Sequence, residues 1–207
     1  EDWVRFLEEH YGQLAAEIRS QALFEGDPLR ELNEGVIEYY PAYSPDGRKL
    51  AYITSEKLDY PYPHLKIYDF ETGKKKKLKD FVDTRISWSP DGKKIVFVRN
   101  KGGFNDLYIY NLEEDKEHRI SARLRAKDPA FSPDGKRITF VRNEDGTNNL
   151  GLIDRNGGNL RRVTEHPERD GFPIWHPDGR RLLTISERRG RFDFYLWNVA
   201  TTAPDAP

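Results

Sequence analysis

Apolar residues fall into two kinds of run along the chain. Near the N-terminus Trp3, Leu7, Tyr11, Leu14 and Ile18 recur every three or four positions. That spacing predicts one amphipathic helix over residues 1 to about 22. Glu1 and Asp2 lie in its first turn, where the helix dipole favours them, and Gly26-Asp27-Pro28 ends the segment. Beyond it the helical period disappears. Short, nearly continuous apolar runs take over at 49–53, 94–98, 137–141 and 181–185, rich in Ile, Val, Leu and aromatics. Such runs predict strands covered on both faces.

The strands repeat as a set. Ser-Pro-Asp-Gly stands at 44–47, 89–92 and 132–135, and His-Pro-Asp-Gly at 176–179, with spacings of 45, 43 and 44 residues. Proline presets the backbone for a type I turn, aspartate bonds nearby N–H groups, and glycine accepts a positive φ. Each copy therefore closes a hairpin. One aromatic precedes each turn: Tyr43, Trp88, Phe131 and Trp175. A third strand follows at 65–70, 107–112, 150–154 and 194–199, and a short fourth at 76–79, 118–121 and 160–164. Four antiparallel strands per roughly 44 residues is the blade of a β-propeller. Helical solenoids of this period are disfavoured, because the Pro-Asp-Gly turns and β-branched runs would break the helices.

This reading divides the chain into an N-terminal helix and linker (1–27), propeller blades (28–200) and a tail (201–207). The blades are expected at 37–80, 81–122, 123–165 and 166–200, with 28–33 as the outer strand of the last. That strand would tie the ends together and remove a sheet edge. Three outcomes remain open: four blades closing alone, two copies pairing into an eight-bladed ring, or four blades of a longer ring.

Composition narrows the function classes. Lys+Arg number 34 and Asp+Glu 35, so near-zero net charge gives no global attraction to nucleic acid or anionic lipid. No stretch approaches the roughly 20 apolar residues that span a bilayer, and 11 Tyr, 11 Phe and 4 Trp supply a core. The absence of Cys excludes disulfides, thiolate metal sites and cysteine nucleophiles. The chain starts at Glu1 and has no Met, which suggests a piece of a longer precursor that has lost any export signal.

The units Asp128-Pro-Ala-Phe-Ser-Pro-Asp-Gly-Lys-Arg-Ile-Thr-Phe-Val141 and Asp154-Arg-Asn-Gly-Gly-Asn-Leu-Arg-Arg-Val-Thr164 resemble the repeats of the TolB-type propeller family. The resemblance covers residues 29–199, with His176 departing from the family's serine. It implies a six- to eight-bladed periplasmic or extracytoplasmic scaffold that binds proteins. Related propellers also serve as gates or accessory domains of serine and metallopeptidases. The segment Trp3-Val-Arg-Phe-Leu-Glu-Glu-His-Tyr11 is similar to the closing helix of peptidase MA-type metallopeptidase domains. That similarity implies a catalytic domain upstream.

No catalytic constellation emerges from the residues. There is no His-Glu-x-x-His pair, nucleophile elbow, P-loop or dinucleotide fingerprint, and His10, His64, His118, His166 and His176 are scattered. The turn aspartates Asp46, Asp91, Asp134 and Asp178 recur in every unit and read as structural. The expectation is therefore a non-enzymatic scaffold with no cofactor, binding a protein or peptide through its loop face or channel. The alternative is an accessory propeller of a larger hydrolase. Carboxylates at the channel mouth, Glu38, Asp83, Asp128 and Asp170, make a third reading: a Ca²⁺ or other cation on oxygen ligands. Candidate partner-binding residues are Tyr60 and Tyr62 in a long Pro-rich loop, His64 beside it, and Arg188, Arg189 and Arg191 in the equivalent loop of the last unit. The run Lys74–Lys77 lacks the interleaved aromatics of a nucleic-acid patch and reads as a solvated edge.

Overall fold

The computed structural model describes residues 38–55, 63–82, 84–144 and 146–199. The expected N-terminal helix, the 28–33 strand, Tyr60, Tyr62, Asp83 and the tail lie outside the described residues. The described part is all-β, with four antiparallel sheets in chain order. Sheet one holds β1 (Glu38–Tyr43), β2 (Lys49–Thr54), β3 (His64–Asp69) and β4 (Lys75–Asp80). Sheet two holds β5 (Ser87–Trp88), β6 (Lys94–Lys101), β7 (Phe104–Asn111) and β8 (Lys116–Arg119). Sheet three holds β9 (Ala126–Phe131), β10 (Arg137–Glu144), β11 (Thr147–Asp154) and β12 (Arg161–Arg162). Sheet four has three strands among the described residues: β13 (Asp170–Trp175), β14 (Arg181–Arg188) and β15 (Arg191–Asn198).

The repeated turns explain why each unit folds locally. In the first three, the serine N–H-capping geometry recurs almost atom for atom. Ser44, Ser89 and Ser132 each donate from Oγ to the turn aspartate at 2.6 Å and accept from the N–H five residues on at 2.9 Å. The aspartate also accepts from the backbone N–H two residues beyond it. Gly47, Gly92, Gly135 and Gly179 all have φ near +70°, a region that glycine enters without strain. In the fourth turn His176 cannot play the serine's part. Asp178 compensates, accepting from the N–H groups of Arg180 at 2.8 Å and Arg181 at 3.2 Å, while His176 Nδ1 accepts from the Asp178 N–H.

Alternation along the strands gives each sheet two apolar faces. The forward face of sheet one (Ala51, Ile53, Leu65, Ile67) packs on the back face of sheet two (Ile95, Phe97, Tyr108, Tyr110). The forward face of sheet two (Val96, Val98, Leu107, Ile109) packs on Ile138, Phe140 and Ile153 of sheet three. Val141, Leu150 and Leu152 of sheet three meet Leu182, Trp175 and Trp197 of sheet four. The pre-turn aromatics stitch the layers: Trp88 Nε1 donates to the Ala42 carbonyl at 2.9 Å, and Trp175 Nε1 to the Ala130 carbonyl at 3.1 Å. The turns stack as well. A Cβ placed on Gly92, Gly135 or Gly179 would lie 3.7, 3.2 or 4.0 Å from the Cδ of Pro45, Pro90 or Pro133 in the unit before.

Candidate functional site

The innermost strands carry a proline that their ladder cannot use, since proline has no N–H to donate. Pro41, Pro129 and Pro173 each follow a residue with positive φ: Tyr40 (+55°), Asp128 (+50°) and Phe172 (+54°). The strand register shifts at each of these points, so the proline falls in a β-bulge. A bulge re-aims side chains, and the bulged inner strands of sheets three and four line one groove together with Arg85, Ile86 and Ser87 of the second unit. The groove has a volume of about 520 Å³. Its floor is Ile86, Pro129, Phe131, Pro173 and Trp175, and Arg85, Asp128 and Phe172 stand at its polar end.

Arg85, Asp128 and Phe172 occupy the same repeat position in successive units, as does Tyr40 in the first. The Arg85 guanidinium sits 4.7 Å from the Phe172 ring centroid, a cation–π contact. Partial burial raises the Asp128 carboxyl above its ordinary range, against the opposing pull of Lys127 and Arg85. The groove thus combines an apolar bed, an exposed aromatic ring, and one cation and one carboxylate in electrostatic contact. A surface of that kind suits an extended polypeptide segment: apolar side chains lie on the floor, and the charged pair fixes direction.

Of the four expected mouth carboxylates, Asp83 lies outside the described residues and the other three occupy different surroundings. Asp128 lies in the groove. Glu38 is exposed at the start of β1. Asp170 is buried inside sheet four, accepting from Thr164 Oγ1 and Ser186 Oγ, both at 2.5 Å, with His166 Nε2 at 2.9 Å and Arg188 Nη2 at 3.4 Å. Its oxygens are committed to the blade. Among the described residues no three His, Asp or Glu side chains gather in a way that would hold a metal ion.

The rim residues are similarly divided. His64 is buried and pairs with Asp80, so it lies inside sheet one and not on its loop surface. Arg188 is drawn inward to Asp170 and stacks 5.2 Å from the Tyr195 ring centroid. Arg189 and Arg191 are exposed, with the Arg189 N–H donating to Glu168. Arg85 and Phe172 escape a reading of the sequence because their repeat position is chemically variable. The signal that marks it is the proline that follows in three of four units.

Comparison with known proteins agrees with the blades. The family described as "TolB beta propeller domain" matches residues 122–205, and "Dipeptidyl peptidase IV (DPP IV) N-terminal region" matches residues 59–123. TolB from Acinetobacter baumannii superposes with a TM-score of 0.69 at 21% identity, over 81% of this chain and 42% of that one. The repeats are TolB-like propeller blades. In sequence, the Tol-Pal system protein TolB of Bordetella pertussis is 41% identical over 53% of this chain and 25% of its own length. Dipeptidyl-peptidase 5 of Porphyromonas gingivalis is 43% identical over 44% of this chain and 14% of its own. The chain thus spans a quarter or less of these two curated relatives.

Proposed function

We propose that this TolB-like chain is a non-enzymatic, extracytoplasmic binding module whose inner-strand groove takes an extended segment of a partner protein. The observation that carries the reading is the Arg85–Phe172 stack beside Asp128 over an apolar floor shared by three sheets. Peptide-display selection against the 207-residue chain tests it. Enriched sequences should lose binding in the Arg85→Ala/Phe172→Ala double variant, with the circular dichroism spectrum unchanged. Enrichment indifferent to that variant, or none at all, refutes the groove as the site.

A second reading is favoured by the match of residues 59–123 to a dipeptidyl peptidase N-terminal region and by the P. gingivalis relative. On it the same blades serve as the accessory domain of a larger hydrolase, with the groove guiding the substrate chain. Both readings expect this chain alone to leave dipeptidyl chromogenic substrates intact. Turnover that survives purification to homogeneity would overturn both.

A further inference from the structure

The residue after each turn glycine is a cation: Arg48, Lys93, Lys136 and Arg180. In the first three units its carbonyl accepts the N–H of Phe70, Leu112 or Arg155, so the turn that leads to the outer strand keeps one register beside it. Glu71, Glu113 and Asn156, each one residue further on, therefore share a repeat position. In units one and two the carboxylate pairs with the cation: Arg48 Nε lies 3.3 Å from Glu71 and Lys93 Nζ 2.7 Å from Glu113. In unit three that carboxylate is missing. Asn156 stands in its place and uses Oδ1 to accept from the Gly158 N–H at 3.0 Å. Lys136 makes no side-chain hydrogen bond or ion pair among the described residues. Position 155, apolar in the other two units, adds a second such cation, Arg155.

Lys136, Arg155 and Asn156 line a surface pocket of about 360 Å³ with Asp134, Arg137 and Asp154. The carboxylates of the pocket are already engaged. Asp134 accepts from Ser132 Oγ at 2.6 Å and from the Lys136 N–H at 3.0 Å, and Asp154 accepts from Asn159 Nδ2 at 2.6 Å. Arg137 is held as well: its Nη2 donates to the Gly179 carbonyl at 2.7 Å, and its guanidinium lies 5.1 Å from the Trp175 ring centroid. Positive charge is crowded beside the pocket, because burial and the neighbouring Arg137 lower the pKa of the Arg161 guanidinium against the pull of Asp154. We propose that this pocket docks an acidic segment of a partner protein, whose Asp or Glu carboxylate takes the place that Glu71 and Glu113 fill from within the chain. The internal copies select the chemistry, since the same cation position holds a carboxylate in both units where it is paired. Lys136 supplies a point charge, and Arg155 a planar fork that can hold a carboxylate through two parallel hydrogen bonds. The pocket shares no lining residue with the inner-strand groove, so the two sites can be tested apart.

Both free cations are exposed, so binding should weaken as salt is added. Fluorescein-labelled hexaglutamate, titrated with the 207-residue chain at low ionic strength and followed by anisotropy, tests the site. Asn156→Glu restores the internal partner and should raise the dissociation constant at least about threefold, and Lys136→Ala/Arg155→Ala should raise it at least about tenfold. Arg85→Ala/Phe172→Ala, in the groove, should leave it unchanged. No binding by the parent chain, or an affinity unmoved in both pocket variants with circular dichroism spectra intact, overturns the proposal. Loss of binding in the groove variant alone would place the peptide in the groove and overturn it equally. An oligothymidylate of the same charge that binds as tightly as the peptide, and is weakened as much by Asn156→Glu, would assign the pocket to phosphate, against the proposal.

Discussion

Sheets two and four are built from the same repeat and differ in what their forward faces meet. Val96, Leu107 and Ile109 are sealed against sheet three, while Leu183, Phe194 and Leu196 occupy the same positions in the open. The apolar character belongs to the module; the burial belongs to its neighbour. A blade's contribution to stability is therefore largely an interface term, as expected when each repeat touches only the next.

Truncation should expose that difference most strongly. Phe97→Ala removes a fully buried ring between sheets one and two and should cost about 3–5 kcal/mol in urea unfolding. Phe194→Ala, on the open face, should stay within about 0.5 kcal/mol of the parent. Equal losses would mean that the two faces are not in different environments.

Gly151 sharpens the comparison from within sheet three. It takes the place of Tyr108, and the Phe140 ring lies across it, so an added Cβ would come 2.5 Å from that ring. Gly151→Ala should destabilise by about 1–3 kcal/mol through overpacking, read as a lowered urea midpoint at unchanged slope.

The turns make a smaller contrast of the same type. Ser132→Ala deletes a hydroxyl that both donates to Asp134 and caps the Arg137 N–H, and should cost about 1 kcal/mol. His176→Ala should cost only a few tenths, because Asp178 has taken over the Arg181 N–H. A loss at His176 as large as that at Ser132 would contradict this division of labour.

Acid should reveal the turns together. Hydrogen bonds from Ser44, Ser89 and Ser132 lower the pKa of Asp46, Asp91 and Asp134, and the Arg180 N–H leads in lowering Asp178 to about 2. Carboxyls with depressed folded values add stability above their ordinary value of 3.8, and lose it as pH falls through the folded values. Thermal midpoints should therefore drop most steeply between pH 4 and about 2. Asp178→Asn should flatten that slope by the share of one turn. A slope indifferent to the substitution would remove Asp178 from the account.

Much of this architecture was legible beforehand because it rests on local chemistry. The Ser-Pro-Asp-Gly turn and the alternating runs beside it determine a hairpin without help from elsewhere in the chain. The groove was not legible. It depends on bulges, and the residue before each bulge proline differs from unit to unit: Tyr40, Asp128, Phe172. Likewise, Glu38 and Asp170 share a repeat position, yet one is exposed and the other is buried in a network contributed by Thr164, His166, Ser186 and Arg188. Ser186 and Arg188 come from the next strand, 16 and 18 residues on, and pairs that far apart have no spacing signature.

The approach of Gly92, Gly135 and Gly179 to the proline of the unit before survives repeat lengths of 45, 43 and 44 residues. A duplicated gene segment therefore inherits its own alignment gauge, because every copy brings both the ledge and the foot that stands on it. Length can drift in the remaining loops while this gauge holds, which leaves those loops free to diversify without disturbing the stacking of the copies.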